Sequence, residues 1–189
     1  MMKKIAVLFS GKGTNFAHIA KTLHAKELKV AVALTNNPDA PGIAVAKAAG
    51  IPLEVVDAKQ FASREAFDAE VVRRLRQYSP ELTVLAGFMR ILTPAFTDAI
   101  AAINLHPSLL PRHKGLRAIE RSYEDNFPEG GVSVHWVTSE LDGGEIIVQK
   151  KVAKAGLDFD AYEAKIRQIE KEALSEAILH VLKEADDEK

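Results

Sequence analysis

Asn104 and His106 stand two residues apart in the run Asn104-Leu105-His106-Pro107-Ser108-Leu109-Leu110-Pro111. On a strand, that spacing projects both side chains from one face. Residues 102–105 read as a strand, which puts the pair near its carboxyl end, where open α/β sheets bind ligands. An amide donor beside an imidazole suits acyl transfer: the amide stabilises an oxyanion and the imidazole moves protons. The pair equally fits a polar strand end satisfied by its own loop. A second segment with chemical potential is Glu140-Leu141-Asp142-Gly143-Gly144. A carboxylate brought near His106 would favour the imidazolium and raise its pKa. Asp-Gly-Gly is also ordinary hairpin-turn chemistry.

Two further stretches could bind ligands. Ser10-Gly11-Lys12-Gly13-Thr14-Asn15 lies between an apolar strand and a helix. Its helix-start N–H groups, the Thr14 hydroxyl and the Asn15 amide could hold a phosphate; an ordinary turn with Thr14 as N-cap is the competing reading. The glycines fit neither the P-loop nor the dinucleotide fingerprint. Ala86-Gly87-Phe88-Met89-Arg90-Ile91-Leu92 could line a slot for a flat ring, or pack internally. His18, His24 and His180 fall on expected helices, His113 on a polar loop, and His135 on a strand as a packed, satisfied histidine. No His, Asp or Glu cluster has metal-ligand spacing, so no metal is expected.

The elements that must position these groups alternate. Residues 5–9, 30–34, 53–56, 82–86 and 102–105 read as strands, the first a short continuous apolar run of the kind buried parallel strands show. Helical spacing predicts helices over 14–26, 42–49 and 63–78, with Ser63 as an N-cap, and a short helix over 94–101. Residues 107–128 read as a loop with one helix. Residues 132–138 and 145–151 follow as an antiparallel pair, and 158–184 as a long helix with a frayed tail. The pattern predicts an α/β fold: a doubly wound, mostly parallel sheet with a C-terminal antiparallel hairpin and a long C-terminal helix. Neither a repeat nor a long linker divides the 189 residues, so one domain over 1–189 is expected.

Composition narrows the partners. With 25 Lys and Arg against 26 Asp and Glu, the net charge is −1, which argues against a general nucleic-acid or anionic-membrane binder. There is no cysteine, so disulfides and thiolate catalysis are excluded, in keeping with a cytoplasmic protein. Small-molecule substrates are the expected partners.

Taken together and in order, these segments resemble the phosphoribosylglycinamide formyltransferases, folate-dependent enzymes of purine synthesis. The matching pieces are Ser10-Gly11-x-Gly13-x-Asn15, Ser63-Arg64-Glu65, Leu85 through Leu92, Asn104 through Pro111, and Val134-His135 through Leu141-Asp142-Gly143-Gly144. The resemblance covers about residues 4–182 and implies direct formyl transfer from 10-formyltetrahydrofolate, a co-substrate, to glycinamide ribonucleotide. It implies that His106 is the general acid/base, that Asn104 stabilises the oxyanion, and that Asp142 orients the imidazole and raises its pKa. Gly13, Thr14 and Asn15 match the family's substrate-phosphate loop. Arg167, Gln168, Ile169 and Glu170 fall where the C-terminal helix touches the ribonucleotide. Arg64, Met89, Arg90, Ile91, Leu92, Asn104, Thr138, Ser139, Glu140, Leu141 and Asp142 match positions around the folate. A monomer or weak homodimer is expected.

The chain departs from the family pattern at Lys12, where Asn is common. Thr14 replaces Ser, and Arg117 and Ile119 replace two histidines of the loop after the site. Arg167 replaces a commoner Gln. Methionyl-tRNA formyltransferase, formyltetrahydrofolate deformylase and sugar-amine formyltransferases are related alternatives. A dinucleotide-binding oxidoreductase or nucleotide sensor is the alternative from another class, opposed by the glycine pattern and by the lack of an acidic ribose ligand after the second strand, Thr35-Asn36.

Overall fold

The strands form where apolar, β-branched runs can be covered on both faces. β1 (Lys4–Phe9) and β2 (Lys29–Thr35) are buried over nearly their whole length, as strands of a parallel sheet with helices on its faces must be. A computed structural model describes residues 1–189. Between and after these strands come α1 (Thr14–Thr22), α2 (Ile43–Ala49), β3 (Leu53–Val55), α3 (Arg64–Arg76), β4 (Leu82–Leu85), α4 (Pro94–Thr97) and β5 (Ala102–His106). The remainder is α5 (Ala118–Glu124), β6 (Glu129–Trp136), β7 (Ile146–Ala153) and α6 (Phe159–Asp187). The strand order is β3-β2-β1-β4-β5-β6-β7.

The chain divides into two compact units, Met1–Ile103 and Asn104–Lys189. In the first, β1 pairs in parallel with β2 and with β4, and β2 with β3. Its core includes Phe9 stacked on Phe16, with ring centroids 5.3 Å apart, and Phe67, Val71 and Leu75 from one stripe of α3. In the second, β6 and β7 pair antiparallel, and α6 buries Tyr162, Ile166, Ala173, Leu174, Ala177 and Ile178 at helical spacing.

Boundaries differ from the sequence reading for local reasons. α1 stops at Thr22 rather than at residue 26, because Ala25 turns left-handed (φ 60°) and the Leu23 carbonyl accepts from the N–H groups of Lys26, Glu27 and Leu28. The N-cap of α1 is Gly13, not Thr14, with φ 70°, a conformation that suits a residue without Cβ. Ser63 caps α3 as expected, accepting from the Ala66 N–H at 3.1 Å. The helix over 94–101 shrinks to the four residues of α4. α6 runs on to Asp187, three residues beyond the expected 184, at the expense of the frayed tail.

Candidate active site

The second unit brings three of the expected residues together. Asn104 and His106 project from one face of β5, and Asp142 arrives on the turn between β6 and β7. His106 is 6% exposed and Asp142 9%. His106 Nδ1 lies 3.4 Å from Asp142 Oδ2. Its Nε2 lies 2.8 Å from the His113 carbonyl oxygen. Both ring nitrogens therefore face groups that can only accept, an arrangement complementary to the doubly protonated ring. The Gly115 N–H donates to Asp142 Oδ2 at 2.9 Å and fixes the carboxylate.

Asp142 sits in the left-handed region (φ 50°), which Asp tolerates better than most residues. The turn closes because Gly144 has no Cβ: one placed there would stand 1.6 Å from the Trp136 carbonyl oxygen. That same carbonyl accepts from His135 Nδ1 at 2.9 Å. The His135 Nε2 faces Asn104 Nδ2 at 3.2 Å and Asp142 Oδ1 at 3.7 Å. A carboxylate cannot donate, so the Asn104 amide turns its nitrogen toward Asp142 Oδ1, 3.5 Å away. His135 is packed and hydrogen-bonded on its strand, as expected, and it also faces the site. The ladder between β6 and β7 shifts register at Val134/His135, and bulges of this kind re-aim side chains. Nothing in the local sequence marks the bulge.

Burial and its acceptor neighbours pull His106 in opposite directions. Burial pushes the His106 imidazolium down; the His113 carbonyl and the Asp142 carboxylate push it up without overcoming burial, and the His135 and Arg121 charges lower it further. The net result is a pKa below the ordinary 6.5, although Asp142 raises it as its carboxylate leads one to expect. The upward push is present, but the desolvation of a nearly enclosed ring outweighs it. Asp142 itself is pushed up by burial and pulled below its ordinary value by His135, the Gly115 N–H and the His106 charge.

The other expected residues around the carboxylate are more open. Thr138, Ser139, Glu140 and Leu141 are exposed on the segment leading to Asp142. The Glu140 N–H donates to Thr138 Oγ1 at 3.2 Å, and Glu140 pairs with Lys114 at 3.1 Å. On α6, Arg167 and Gln168 are exposed and Ile169 half-buried, while Glu170 is 3% exposed and pairs with Arg167 at 3.1 Å. Arg117 is exposed, with φ 57°, at the start of α5, whereas Ile119 is buried in it.

The first unit carries the remaining expected residues. Lys12 and Thr14 are exposed, Gly13 is buried and Asn15 half-buried. Ser10, which composition alone did not single out, ties two loops together. Its hydroxyl donates to Asn36 Oδ1 at 2.6 Å and accepts from the Met89 N–H at 2.8 Å. Met89 and Ile91 are exposed, Arg90 and Leu92 half-buried. Arg64 is exposed at the first position of α3. That helix anchors the 88–93 loop: the Arg90 guanidinium stacks 4.6 Å over the Phe67 ring, and Asp68 accepts from both the N–H and the hydroxyl of Thr93 at 2.7 Å. Asp68, at 1% exposure, is a second residue that the sequence reading missed, since its partner lies 25 positions away.

A buried imidazole facing a carboxylate, with a carboxamide alongside, has the groups that acyl transfer needs. The family model described as formyl transferase matches residues 3–178, and the chain belongs to that family. It is 44% identical over 152 residues to the phosphoribosylglycinamide formyltransferase of Escherichia coli (strain K12), covering 78% of this chain and 72% of the relative. A crystal structure of phosphoribosylglycinamide formyltransferase from Campylobacter jejuni superimposes with a TM-score of 0.94 at 47% identity, covering 96% of this chain and 98% of that one. A trifunctional purine biosynthetic protein of Gallus gallus is 37% identical over 93% of this chain, which spans 18% of that longer protein.

Proposed function

We propose that this chain transfers the formyl group of 10-formyltetrahydrofolate to the amine of N1-(5-phospho-D-ribosyl)glycinamide. The products are formylglycinamide ribonucleotide and tetrahydrofolate, a step of de novo purine synthesis. The observation that carries the reading is the cluster of His106, Asp142 and Asn104, with both imidazole nitrogens facing acceptors. The substrate amine attacks the formyl carbon, and the formyl oxygen becomes an oxyanion. Asn104 Nδ2–H, whose contact to Asp142 is long, donates to that oxygen. His106 moves the proton from the attacking amine to the departing folate nitrogen, while Asp142 holds the ring and balances its charge.

The family match supports the remaining assignments. Gly13, Thr14 and Asn15 hold the ribonucleotide phosphate, and Arg167, Gln168, Ile169 and Glu170 touch the rest of that substrate. Arg64, Met89, Arg90, Ile91, Leu92 and the Thr138, Ser139, Glu140, Leu141 segment contact the folate. Residues 1–189 act as one catalytic domain, a monomer or weak homodimer of the cytoplasm, with no metal and with small molecules as its partners. No helix is long and apolar enough to cross a membrane.

The test is release of tetrahydrofolate from 10-formyltetrahydrofolate with and without glycinamide ribonucleotide. Release only with the ribonucleotide, lost by at least roughly a hundredfold in His106→Ala, is expected. Acceptor-independent release would make the chain a deformylase and refute the reading.

A further inference from the structure

The His113 carbonyl that accepts from His106 belongs to a residue in an unfavourable backbone conformation. His113 has φ 52°, the left-handed region, and is not a glycine. Such conformations persist where the surroundings over-determine them. Here the surroundings are a chain of polar side chains that ends at two secondary-structure elements. His113 Nε2 lies 2.6 Å from Asp125 Oδ2. Asp125, the residue that ends α5, receives Lys154 Nζ on its other oxygen at 2.6 Å and the Phe127 N–H at 2.9 Å. Lys154, the residue after β7, also donates to the Ser122 carbonyl at 2.6 Å and to that of Asp125 at 3.1 Å. The side chains of His113, Asp125 and Lys154 are 22%, 15% and 11% exposed. The Lys154–Asp125 ion pair is thus largely shielded from the screening that weakens surface pairs.

We propose that His113, held by Asp125 and Lys154, is a positioning residue for the transfer: its anchored side chain fixes its backbone carbonyl on His106 Nε2. This rests on the reading of His106 as the acid/base. Without the anchor, the left-handed turn at His113 relaxes, and the carbonyl leaves the ring. The imidazole then keeps Asp142 on one nitrogen but can rotate, and its protonated form loses one of the two groups that favour it. The carbonyl is a backbone group, so this dependence falls on a residue whose side chain never approaches the ring.

The groups facing each member set the sign of the pH effect. Around His106 these are Asp142, His135 of β6 and Arg121 of α5. Asp125 faces His113, Lys154 and, electrostatically, Tyr162 of α6. Loss of the carbonyl removes an upward push and leaves the rest in place. The inflection belonging to His106 therefore moves to lower pH, whether the reaction needs the ring charged or neutral.

The test compares His113→Ala, His113→Gln and Lys154→Met with the full-length protein in the ribonucleotide-dependent assay. His113→Ala is expected to lower kcat by roughly tenfold or more, with both KM values within about twofold and the His106 inflection moved acid. His113→Gln restores a donor near the imidazole Nε2 position and is expected to recover most of kcat. Lys154→Met, which leaves Asp125 without its cation, is expected to shift the inflection the same way by less. A folded His113→Ala with unchanged kcat and pH profile would overturn the proposal. So would equal losses in the Ala and Gln variants that merely track a fall in Tm. If His113→Ala does not fold, an unshifted profile in Lys154→Met overturns it instead. His106→Ala separates the two readings: full activity in that variant sinks the acid/base role itself, whereas an inactive His106→Ala beside a wild-type His113→Ala sinks only the positioning role.

Discussion

Opposed pushes on one imidazole decide what acid does to this protein. Because the folded state binds the His106 proton less tightly than the unfolded chain does, stability falls as pH drops below the ordinary 6.5. Asp142 adds its own term: its depressed folded pKa contributes stability above its ordinary 3.8 that is lost as pH falls through the folded value. In Asp142→Asn, His106 loses the carboxylate that raises it, so its imidazole titration, followed by NMR, is expected to move further acid, and kcat to fall by roughly a hundredfold. An unmoved titration would mean that the 3.4 Å contact carries no charge interaction. The placing of Asn104 and His106 on one strand face was legible from their spacing, whereas the approach of Asp142 to His106 followed only from the family resemblance, since Asp-Gly-Gly alone reads as a turn. That His135 also faces the site was not legible, because a register shift aims it. Neither was the part played by His113, because a backbone carbonyl carries no signature of residue type. The upward push of Asp142 on His106 was legible, but the larger downward push of burial was not, since burial is a property of the packed molecule and not of the pair.

At the scale of elements, α3 does two tasks with one helix. Its apolar stripe packs the first unit, and its Phe67 and Asp68 hold the 88–93 loop. The helix begins where Ser63 accepts the Ala66 N–H. Ser63→Ala is expected to cost about 1 kcal/mol in chemical denaturation and to leave the m-value unchanged; a cost near zero would show that water replaces the cap. The cap, the stripe and the alternation of apolar runs with helices were all readable, because each is a local pattern. The C-terminal limit of α1 was not, since it depends on the left-handed turn at Ala25 and on Leu23 remaining buried after the helix has ended. The loop after His106 was read correctly as carrying one helix, but its ties to Asp142 and Asp125 join residues too far apart for any local rule to reveal.

For the whole molecule, a net charge of −1 and a pI near 6.6 leave no broad field for polyanions, so ligand recognition must be local. A folate analogue at about a hundred times its Kd is expected to stabilise the protein by roughly 2.7 kcal/mol, which for this chain length is a Tm rise of roughly 5 to 10 °C. NAD at the same concentration is expected to do nothing, and the reverse pattern would sink the proposed transfer reaction. The doubly wound architecture was predictable from element order, whereas the division at Ile103/Asn104 was not, because it cuts through β5. The strand order also leaves β7, eight residues long, at one end of the sheet. A long outer strand is a template on which another chain can add, and in a crowded solution that is the first step toward a fibre. Lys150 and Lys151 stand in the middle of it, neutralised by Glu176 and Glu129 of the same chain. Addition of a further strand there would have to accommodate these charged pairs, and charged side chains on an outer strand are one of the ways sheets discourage such growth.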